Sequence, residues 1–236
     1  MITSLTNEIV KYLVKLKEKK YRQEFHEFIV EGEHMVQEAI LLGRCKTVFT
    51  TNEEARYLVE TVSVSPEVMD KISDVSTPPG VIGLCKMDLF PEWSERILIL
   101  DGIQDPGNLG TLLRSAAAFG FHSVISENSV DIYNSKVLRS TQGGIFKISW
   151  AEKNLQLFIE NHPEYTYIGT SVSNGTPLRQ EGSISGKIAI ILGNEANGVR
   201  EEIQALSGRL VTIEMENTES LNVGVAGSIL MYHYSK

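Results

Sequence analysis

The stretch Ile97–Gly120 reads ILILDGIQDPGNLGTLLRSAAAFG and decides the predicted fold. It opens with a continuous apolar run, which is typical of a strand buried on both faces of a parallel sheet. Turn residues follow in Asp105–Gly107, and apolar residues then recur at helical spacing. The succession of strand, loop and helix predicts an α/β sheet, with Asn108 as the cap of the helix and Arg114 off its apolar face.

Two later stretches share this design. Lys187–Arg200 reads KIAIILGNEANGVR, and Arg209–Tyr232 reads RLVTIEMENTESLNVGVAGSILMY. In the last stretch, either Ser220 or Asn222 is placed to cap the helix that follows. Because open α/β sheets bind ligands at the carboxyl ends of their strands, the three loops predict one composite site.

The polar residues of these loops also have a plain structural interpretation. Asn108 would then be only a helix cap, Arg114 only a surface residue, and Glu195 only a solvated acid near the next helix. Equally, a planar and permanently charged guanidinium off the core face suits a phosphate. The sequence contains neither the GxGxxG of dinucleotide sites nor the GK[ST] of P-loops, which argues against an NAD oxidoreductase and an NTPase.

Composition and charge narrow the classes further. The chain has 236 residues and is 42% hydrophobic. Its formal net charge of −8 argues against a protein that binds nucleic acid through its overall charge. Cys45 and Cys85 lack any metal-binding spacing and predict free thiols in a reducing, cytoplasmic compartment. No apolar run reaches the roughly 20 residues of a membrane helix. We therefore expect no membrane partner and no metal.

Two domains are predicted from the order of the patterns. Residues 1–86 favour a small α/β domain, residues 87–95 a charged linker, and residues 96–236 a mostly parallel α/β sheet covered on both faces. Within the first domain, Asn7–Lys20 is expected to be helical and Glu24–Val30 to be a strand.

Three motifs together resemble one known family. They are NxGxxxR at Asn108–Arg114, LGNExxG at Leu192–Gly198 and ESLNVxVA at Glu219–Ala226. In this order they resemble the SpoU/TrmH branch of the SPOUT methyltransferases, and Tyr133–Phe146 resembles the segment between the first two. Lys15–Ile40 is similar to the substrate-binding domain, a small α/β RNA-binding domain, that often precedes this fold, so the resemblance covers nearly the whole chain.

The resemblance implies a trefoil knot at the carboxyl end of the sheet, a homodimer, and methyl transfer from S-adenosylmethionine to a ribose 2′-hydroxyl. The substrate would be ribosomal RNA, with transfer RNA as the other class. Arg114 would contact the target phosphate or ribose and assist deprotonation, and Asn108 would position it. The implied catalytic residues are Asn108, Arg114, Glu195, Ser220 and Asn222. The implied cofactor-binding residues are Leu192, Gly193, Asn194, Ile213, Met215, Leu221 and Asn222.

An acidic protein that binds RNA needs a local basic surface, which we expect in the helix of Lys11–Arg22 and further along the chain. The expected RNA contacts are Lys19, Lys20, Arg22, Lys136 and Arg139. The plain interpretation of the basic helix is a solvated face.

Two residues depart from the family pattern. Glu214 stands where proline is usual, which adds a charge near the expected cofactor loop, and Asn217 stands where glycine is common. The alternative function is a non-catalytic RNA-binding ribosome assembly factor that retains the fold.

Overall fold

A computed structural model describes residues 1–87 and 93–235 of the chain. The chain divides into two compact units, Met1–Leu89 with Asp131–Phe146, and Phe90–Val130 with Lys147–Lys236. In the part of the chain that the structure describes, no helix is long and apolar enough to cross a membrane.

The division differs in one respect from the predicted boundary between residues 1–86 and 96–236. Asp131–Phe146 belongs to the first unit, because Asp131 forms an ion pair with Arg22 and the ring of Tyr133 lies 4.6 Å from that of Phe28. Residues 88–92 of the predicted linker lie outside the described residues. The functional assignment of the two domains therefore stays a prediction at this point.

The elements are numbered in chain order across both units. The helices are α1 (Glu8–Lys15), α2 (Lys19–Phe25), α3 (Glu33–Leu41), α4 (Pro66–Ile72), α5 (Pro106–Phe119), α6 (Ser135–Thr141), α7 (Leu155–Asn161), α8 (Glu201–Gln204) and α9 (Val223–His233). The strands are β1 (Glu27–Glu31), β2 (Cys45–Thr50), β3 (Glu60–Ser63), β4 (Val81–Lys86), β5 (Arg96–Asp101), β6 (Ser123–Glu127), β7 (Ser149–Glu152), β8 (Tyr165–Thr170), β9 (Thr176–Pro177), β10 (Lys187–Gly193) and β11 (Arg209–Thr212). Two short 3₁₀ turns occupy Gly144–Lys147 and Leu178–Gln180.

The first unit contains a mixed sheet in the order β1-β4-β2-β3, in which only β2 and β3 are parallel. Its basic amino-terminal segment is two helices rather than the single helix predicted for Asn7–Lys20. The guanidinium of Arg22 donates to the carbonyl oxygens of Leu16 and Lys17 at 2.8 and 2.6 Å, which satisfies these groups where α1 has ended. The following strand consequently starts at Glu27, later than predicted.

The second unit is built on a seven-stranded sheet in the order β7-β6-β5-β10-β8-β11-β9, and every pairing in it is parallel. This confirms the predicted α/β class with a mostly parallel sheet. The central strands β5 and β10 are almost completely buried, as continuous apolar runs predict. All these strands end at one edge, which carries the three motif loops.

Close packing explains the small residues near the end of the second unit. A Cβ on Gly227 of α9 would lie 2.4 Å from Leu112 Cδ2 and 2.5 Å from Leu192 Cδ1. The hydroxyl groups of Ser115 and Ser228 are hydrogen-bonded at 2.7 Å between α5 and α9. Glycine therefore lets α9 approach α5 and β10. The trefoil knot that the resemblance implies stays a prediction.

Candidate active site

Glu195 joins the loop after β10 to the loop after β5. Its Oε1 accepts hydrogen bonds from the backbone amide of Asp105 and from Asn108 Nδ2, both at 3.0 Å, and Oε2 accepts one from the amide of Gln104 at 3.2 Å. Burial raises the pKa of Glu195, but the hydrogen bonds from Asn108 and the backbone amides outweigh it, so the net pKa lies below its ordinary value. Glu195 is thus a charged anchor and not only a solvated loop acid.

The start of α5 corrects one prediction. Asp105, not Asn108, is the N-cap, because its Oδ1 accepts from the Asn108 amide at 2.8 Å, and Pro106 occupies the first helical turn. The side chain of Asn108 is therefore left to bind other groups. Its Oδ1 accepts a hydrogen bond from Asn222 Nδ2 at 2.7 Å while its Nδ2 donates to Glu195.

Asn222, rather than Ser220, caps α9. Asn222 Oδ1 accepts from the backbone amides of Gly224 and Val225 at 2.9 and 3.3 Å. Asn108, Glu195 and Asn222, one from each motif, consequently form a single hydrogen-bonded chain. Ser220 is exposed, and its carbonyl accepts from the hydroxyl of Thr218 at 3.0 Å, outside this chain.

Arg114 is exposed in α5, off the buried face as predicted. Its guanidinium makes no hydrogen bond or ion pair with any described residue. The structure therefore does not bring Arg114 into contact with Asn108, Glu195 or Asn222 and leaves its charge available to a ligand.

Asn194 fastens the loop after β10 a second time. Its Nδ2 donates to the carbonyl of Gly102 at 2.8 Å, and its Oδ1 accepts from the amides of Ala196 and Asn197 at 2.9 and 3.1 Å. The amide and carbonyl of Asn194 also pair with those of Gly198, both at 2.9 Å. A Cβ on Gly193 would lie 2.1 Å from the backbone of Gly198, so this tight loop requires glycine there.

The residues expected to hold an adenosine-type cofactor fit that role. The pairing of β10 with β8 ends at Ile190, so Leu192 and Gly193 are paired with β5 only. Ile213 and Met215, half-buried in the loop after β11, make no backbone–backbone hydrogen bond to another described residue. Together with the half-buried Leu221, these loops offer apolar side chains and open backbone groups.

Glu214, which departs from the family pattern, lies in the loop after β11. Its carboxylate is exposed and accepts a hydrogen bond from the backbone amide of Arg179 at 3.4 Å. The charge that prompted the non-catalytic alternative is therefore engaged by the chain itself.

With this geometry established, similarity to known proteins decides the family. Residues 95–232 match the SpoU rRNA Methylase family. The chain belongs to this family. The resemblance predicted from the three motifs is thereby confirmed, and residues 7–83 additionally match the MRM3-like substrate binding domain.

Similar proteins cover almost the whole chain. The 23S rRNA (guanosine(2553)-2′-O)-methyltransferase RlmP of Bacillus subtilis is 33% identical in an alignment that covers 98% of this chain and 98% of that protein. The 23S rRNA (guanosine-2′-O-)-methyltransferase RlmB of Coxiella burnetii is 29% identical, covering 100% of this chain and 91% of that protein. The AdoMet-bound rRNA methyltransferase of Sinorhizobium meliloti superimposes with a TM-score of 0.85 at 29% identity, covering 98% of this chain and 95% of that chain.

The basic residues predicted to bind RNA in this SpoU-family chain lie in its first unit, and one needs correction. Arg22 is 6% exposed and is bound to Leu16, Lys17 and Asp131, so it stabilises the unit rather than facing solvent. Lys19, Lys20 and Lys136 are exposed, and Arg139 is half-buried. The Lys20 ammonium lies 4.5 Å from the centre of the Tyr21 ring, a pairing that the sequence analysis missed.

Sequence reasoning also missed an ion-pair network at the same sheet edge. Asp101 and Glu127 end β5 and β6, and both accept hydrogen bonds from Arg200. The sequence does show an acidic residue at the end of each of these two strands. No local pattern, however, indicates that a single arginine binds both acids. Among the described residues, no group of three or more metal-ligating side chains is present.

Proposed function

We propose that this chain transfers a methyl group from S-adenosylmethionine to the 2′-hydroxyl of a ribose in ribosomal RNA. Membership of the SpoU family and the activities of RlmP and RlmB support the reaction and the RNA class. The observation that carries the proposal is the hydrogen-bonded chain of Glu195, Asn108 and Asn222. It unites the three motif loops at the carboxyl edge of a parallel sheet, where such folds bind ligands.

The bound cofactor supplies an electrophilic methyl group on a sulfonium. The protein's task is then to present the ribose oxygen in line and to favour loss of its proton. Arg114 is the charged group free to meet the target phosphate or ribose, and electrostatic positioning suits a guanidinium better than acting as the base itself. Asn108 and Asn222 hold the loops around this point, and Ser220 is proposed to lie near the reacting groups.

The cofactor would be held by the ends of β10 and β11 and by the start of α9. Its proposed contacts are Leu192, Gly193, Asn194, Ile213, Met215, Leu221 and Asn222. Leu192 and Gly193 are buried, and the half-buried Ile213, Met215 and Leu221 would supply apolar side chains to line the site. Apolar lining with a few fixed polar groups is the usual composition of a small-molecule site.

The first unit would bind the RNA, in keeping with its match to a substrate-binding domain. We propose the exposed Lys19, Lys20 and Lys136 as phosphate contacts, together with the half-buried Arg139 in the same helix as Lys136. Lys15 and Lys20 lie over the ring of Tyr21 at 5.5 and 4.5 Å, which gathers positive charge at this helix. Arg22 is not among the proposed contacts because its guanidinium is buried.

The active protein is proposed to be a homodimer that works in the cytoplasm. Val225, Ile229 and Tyr232 of α9 are 48%, 38% and 59% exposed and follow the i, i+4, i+7 spacing of one helix face. A second copy of the chain would cover this apolar stripe. The two cysteines, which are both free thiols, support the proposed cytoplasmic location.

Transfer of labelled methyl from S-adenosylmethionine to unmodified ribosomal RNA tests the reaction directly. We expect incorporation at one ribose that resists alkaline cleavage. Arg114→Ala should lower transfer by at least about 100-fold, the scale of a lost transition-state contact, and should leave cofactor binding unchanged. Cofactor and RNA binding without transfer would instead support the non-catalytic assembly factor. Full activity in Arg114→Ala would refute the role of Arg114.

A further inference from the structure

The ends of three neighbouring strands carry one ion-pair network that the proposed reaction does not use. The strand registers place Asp101 directly beside Gly193 of β10 on one side and beside Glu127 of β6 on the other. Arg200 follows the loop after β10 and precedes α8. Its Nε donates to Asp101 Oδ1 at 2.6 Å, its backbone amide donates to Asp101 Oδ2 at 2.8 Å, and its terminal nitrogen pairs with Glu127.

This network is largely shielded from solvent. The side chains of Asp101 and Glu127 are 2% and 17% exposed, against 37% for Arg200. Burial lowers the pKa of Arg200, but its hydrogen bonds to Glu127 and Asp101 outweigh this and raise the net value. Because one guanidinium serves both acids, its removal would leave two shielded carboxylates without that cation.

The network also closes the loop after β10 at its far end. At the near end, Asn194 is bound to the carbonyl of Gly102, the residue that follows Asp101. Both ends of the loop are therefore fastened to two consecutive residues at the end of β5. Between them the backbone of Gly198 crosses so close to Gly193 that a Cβ there would lie 2.1 Å from it.

We propose that Arg200 is a positioning residue for the cofactor. By binding Asp101 and Glu127 it holds the loop 194–199 against Gly193, so that Gly193 and Asn194 present their backbone in the shape that S-adenosylmethionine requires. Arg200 itself contacts neither the RNA nor the reacting atoms. The inference rests on the proposed function in taking Gly193 and Asn194 as cofactor contacts.

Arg200→Ala, Arg200→Lys and Glu127→Gln test this role, with Arg209→Ala as the matched control. Arg209 also pairs with a glutamate of the same unit, Glu181 at 3.1 Å, but does not hold the loop 194–199. Two quantities are measured: hydrogen exchange of amides 194–199 in the protein without cofactor, and the Kd of S-adenosylmethionine by calorimetry.

In Arg200→Ala, exchange at 194–199 should quicken at least tenfold and the Kd for S-adenosylmethionine should rise about tenfold, with RNA affinity unchanged. Arg200→Lys should restore part of the slow exchange and part of the cofactor affinity, because lysine returns the positive charge but not the planar guanidinium that binds two acids at once. Arg209→Ala should match wild type. The KM for the cofactor should rise while kcat at saturating cofactor stays within a factor of two, whereas a general loss of folded protein would lower kcat alone.

Unchanged exchange or an unchanged cofactor Kd in Arg200→Ala would overturn the proposal. If that variant does not fold, Glu127→Gln tests the proposal instead, because it keeps the Arg200–Asp101 pair. This variant should also exchange faster at 194–199 and bind the cofactor more weakly than wild type. Wild-type protein that binds no S-adenosylmethionine would refute the proposed function and the cofactor role together. If the wild-type protein binds S-adenosylmethionine and these variants bind it with the same Kd, only the role of Arg200 would be refuted.

Discussion

The side-chain Nδ2 of Asn222 donates a hydrogen bond of 2.7 Å to Oδ1 of Asn108, although the two residues are 114 positions apart in sequence. The other end of the Asn108 side chain donates to Glu195 at 3.0 Å, so this amide has one defined orientation. Asn108 therefore links the starts of α5 and α9 to the loop after β10. This bridge is what turns three separate motifs into one site.

Asn108→Asp should disrupt the bridge more than Asn108→Ala. A carboxylate cannot donate to Glu195 and would place a second negative charge beside it, whereas alanine only removes the two hydrogen bonds. We expect methyl transfer to fall by about 100-fold in Asn108→Ala, the loss associated with roughly 1 Å of misplacement, and further in Asn108→Asp. Initial rates at saturating cofactor and RNA measure this. Asn161→Ala, on the surface of α7, is the control, and Asn108→Asp with the rate of Asn108→Ala would contradict the orientation.

Acidification should release the loop that Glu195 anchors. The pKa of Glu195 is lower in the folded protein than the value of 4.5 for the free group. The stabilisation is therefore fully present above that value and is lost as the pH falls through the lower folded pKa. The free energy of unfolding can be measured with urea between pH 7 and pH 3. It should fall less on acidification in Glu195→Gln than in the wild-type protein. Identical pH dependence in the two proteins would show that Glu195 is not an anchor.

Charge reversal on α2 should weaken RNA binding in a salt-dependent way. Lys19→Glu with Lys20→Glu removes two proposed phosphate contacts, so the slope of log K against log salt should fall by about one per lost contact. Filter binding across a salt series measures the slope. Lys71→Glu on α4 reverses one lysine, against two in the α2 variant, and serves as the control for net charge, with half the slope change expected if net charge alone mattered. An unchanged slope in the α2 variant would exclude this helix as the contact surface.

Arg22→Ala should behave differently from these lysine variants. Because its guanidinium is buried against two carbonyl groups and Asp131, its loss should lower stability by about 3–5 kcal/mol, the cost of breaking a buried pair. Thermal or urea unfolding measures this. The RNA salt slope of the folded fraction should stay at the wild-type value, and a stable variant with a reduced slope would show that Arg22 is an RNA contact after all.

A charge on the exposed face of α9 should separate the proposed dimer. Ile229→Glu places a carboxylate in the centre of the stripe formed by Val225, Ile229 and Tyr232, where a partner subunit would have to bury it. Sedimentation should then report a monomer, while Leu157→Glu, the same charge introduced at an exposed apolar residue of α7, should leave the dimer intact. A wild-type protein that sediments as a monomer would refute the homodimer itself.

The local pattern was sufficient for much of the second unit. Continuous apolar runs predicted β5 and β10 because strands buried on both faces show no alternation, and helical spacing predicted α5 and α9. The cap of α5 was misplaced by three residues, since Asp105-Pro106 and Asn108 are both acceptable helix starts in sequence. The break between α1 and α2 was missed because Arg22 satisfies carbonyl groups that a longer helix would otherwise have to pair.

The sequence by itself determined the α/β class, the three motif loops and, through their order, the family. These properties depend on the spacing of apolar residues and on the backbone preferences of glycine, proline and asparagine, which act over a few neighbouring positions. Only the tertiary structure decided that Asn108 meets Asn222, that Arg200 serves Asp101 and Glu127, and that Arg22 is buried. Such pairings depend on which strands lie side by side, and strand order is set by the packing of the whole sheet rather than by any local stretch.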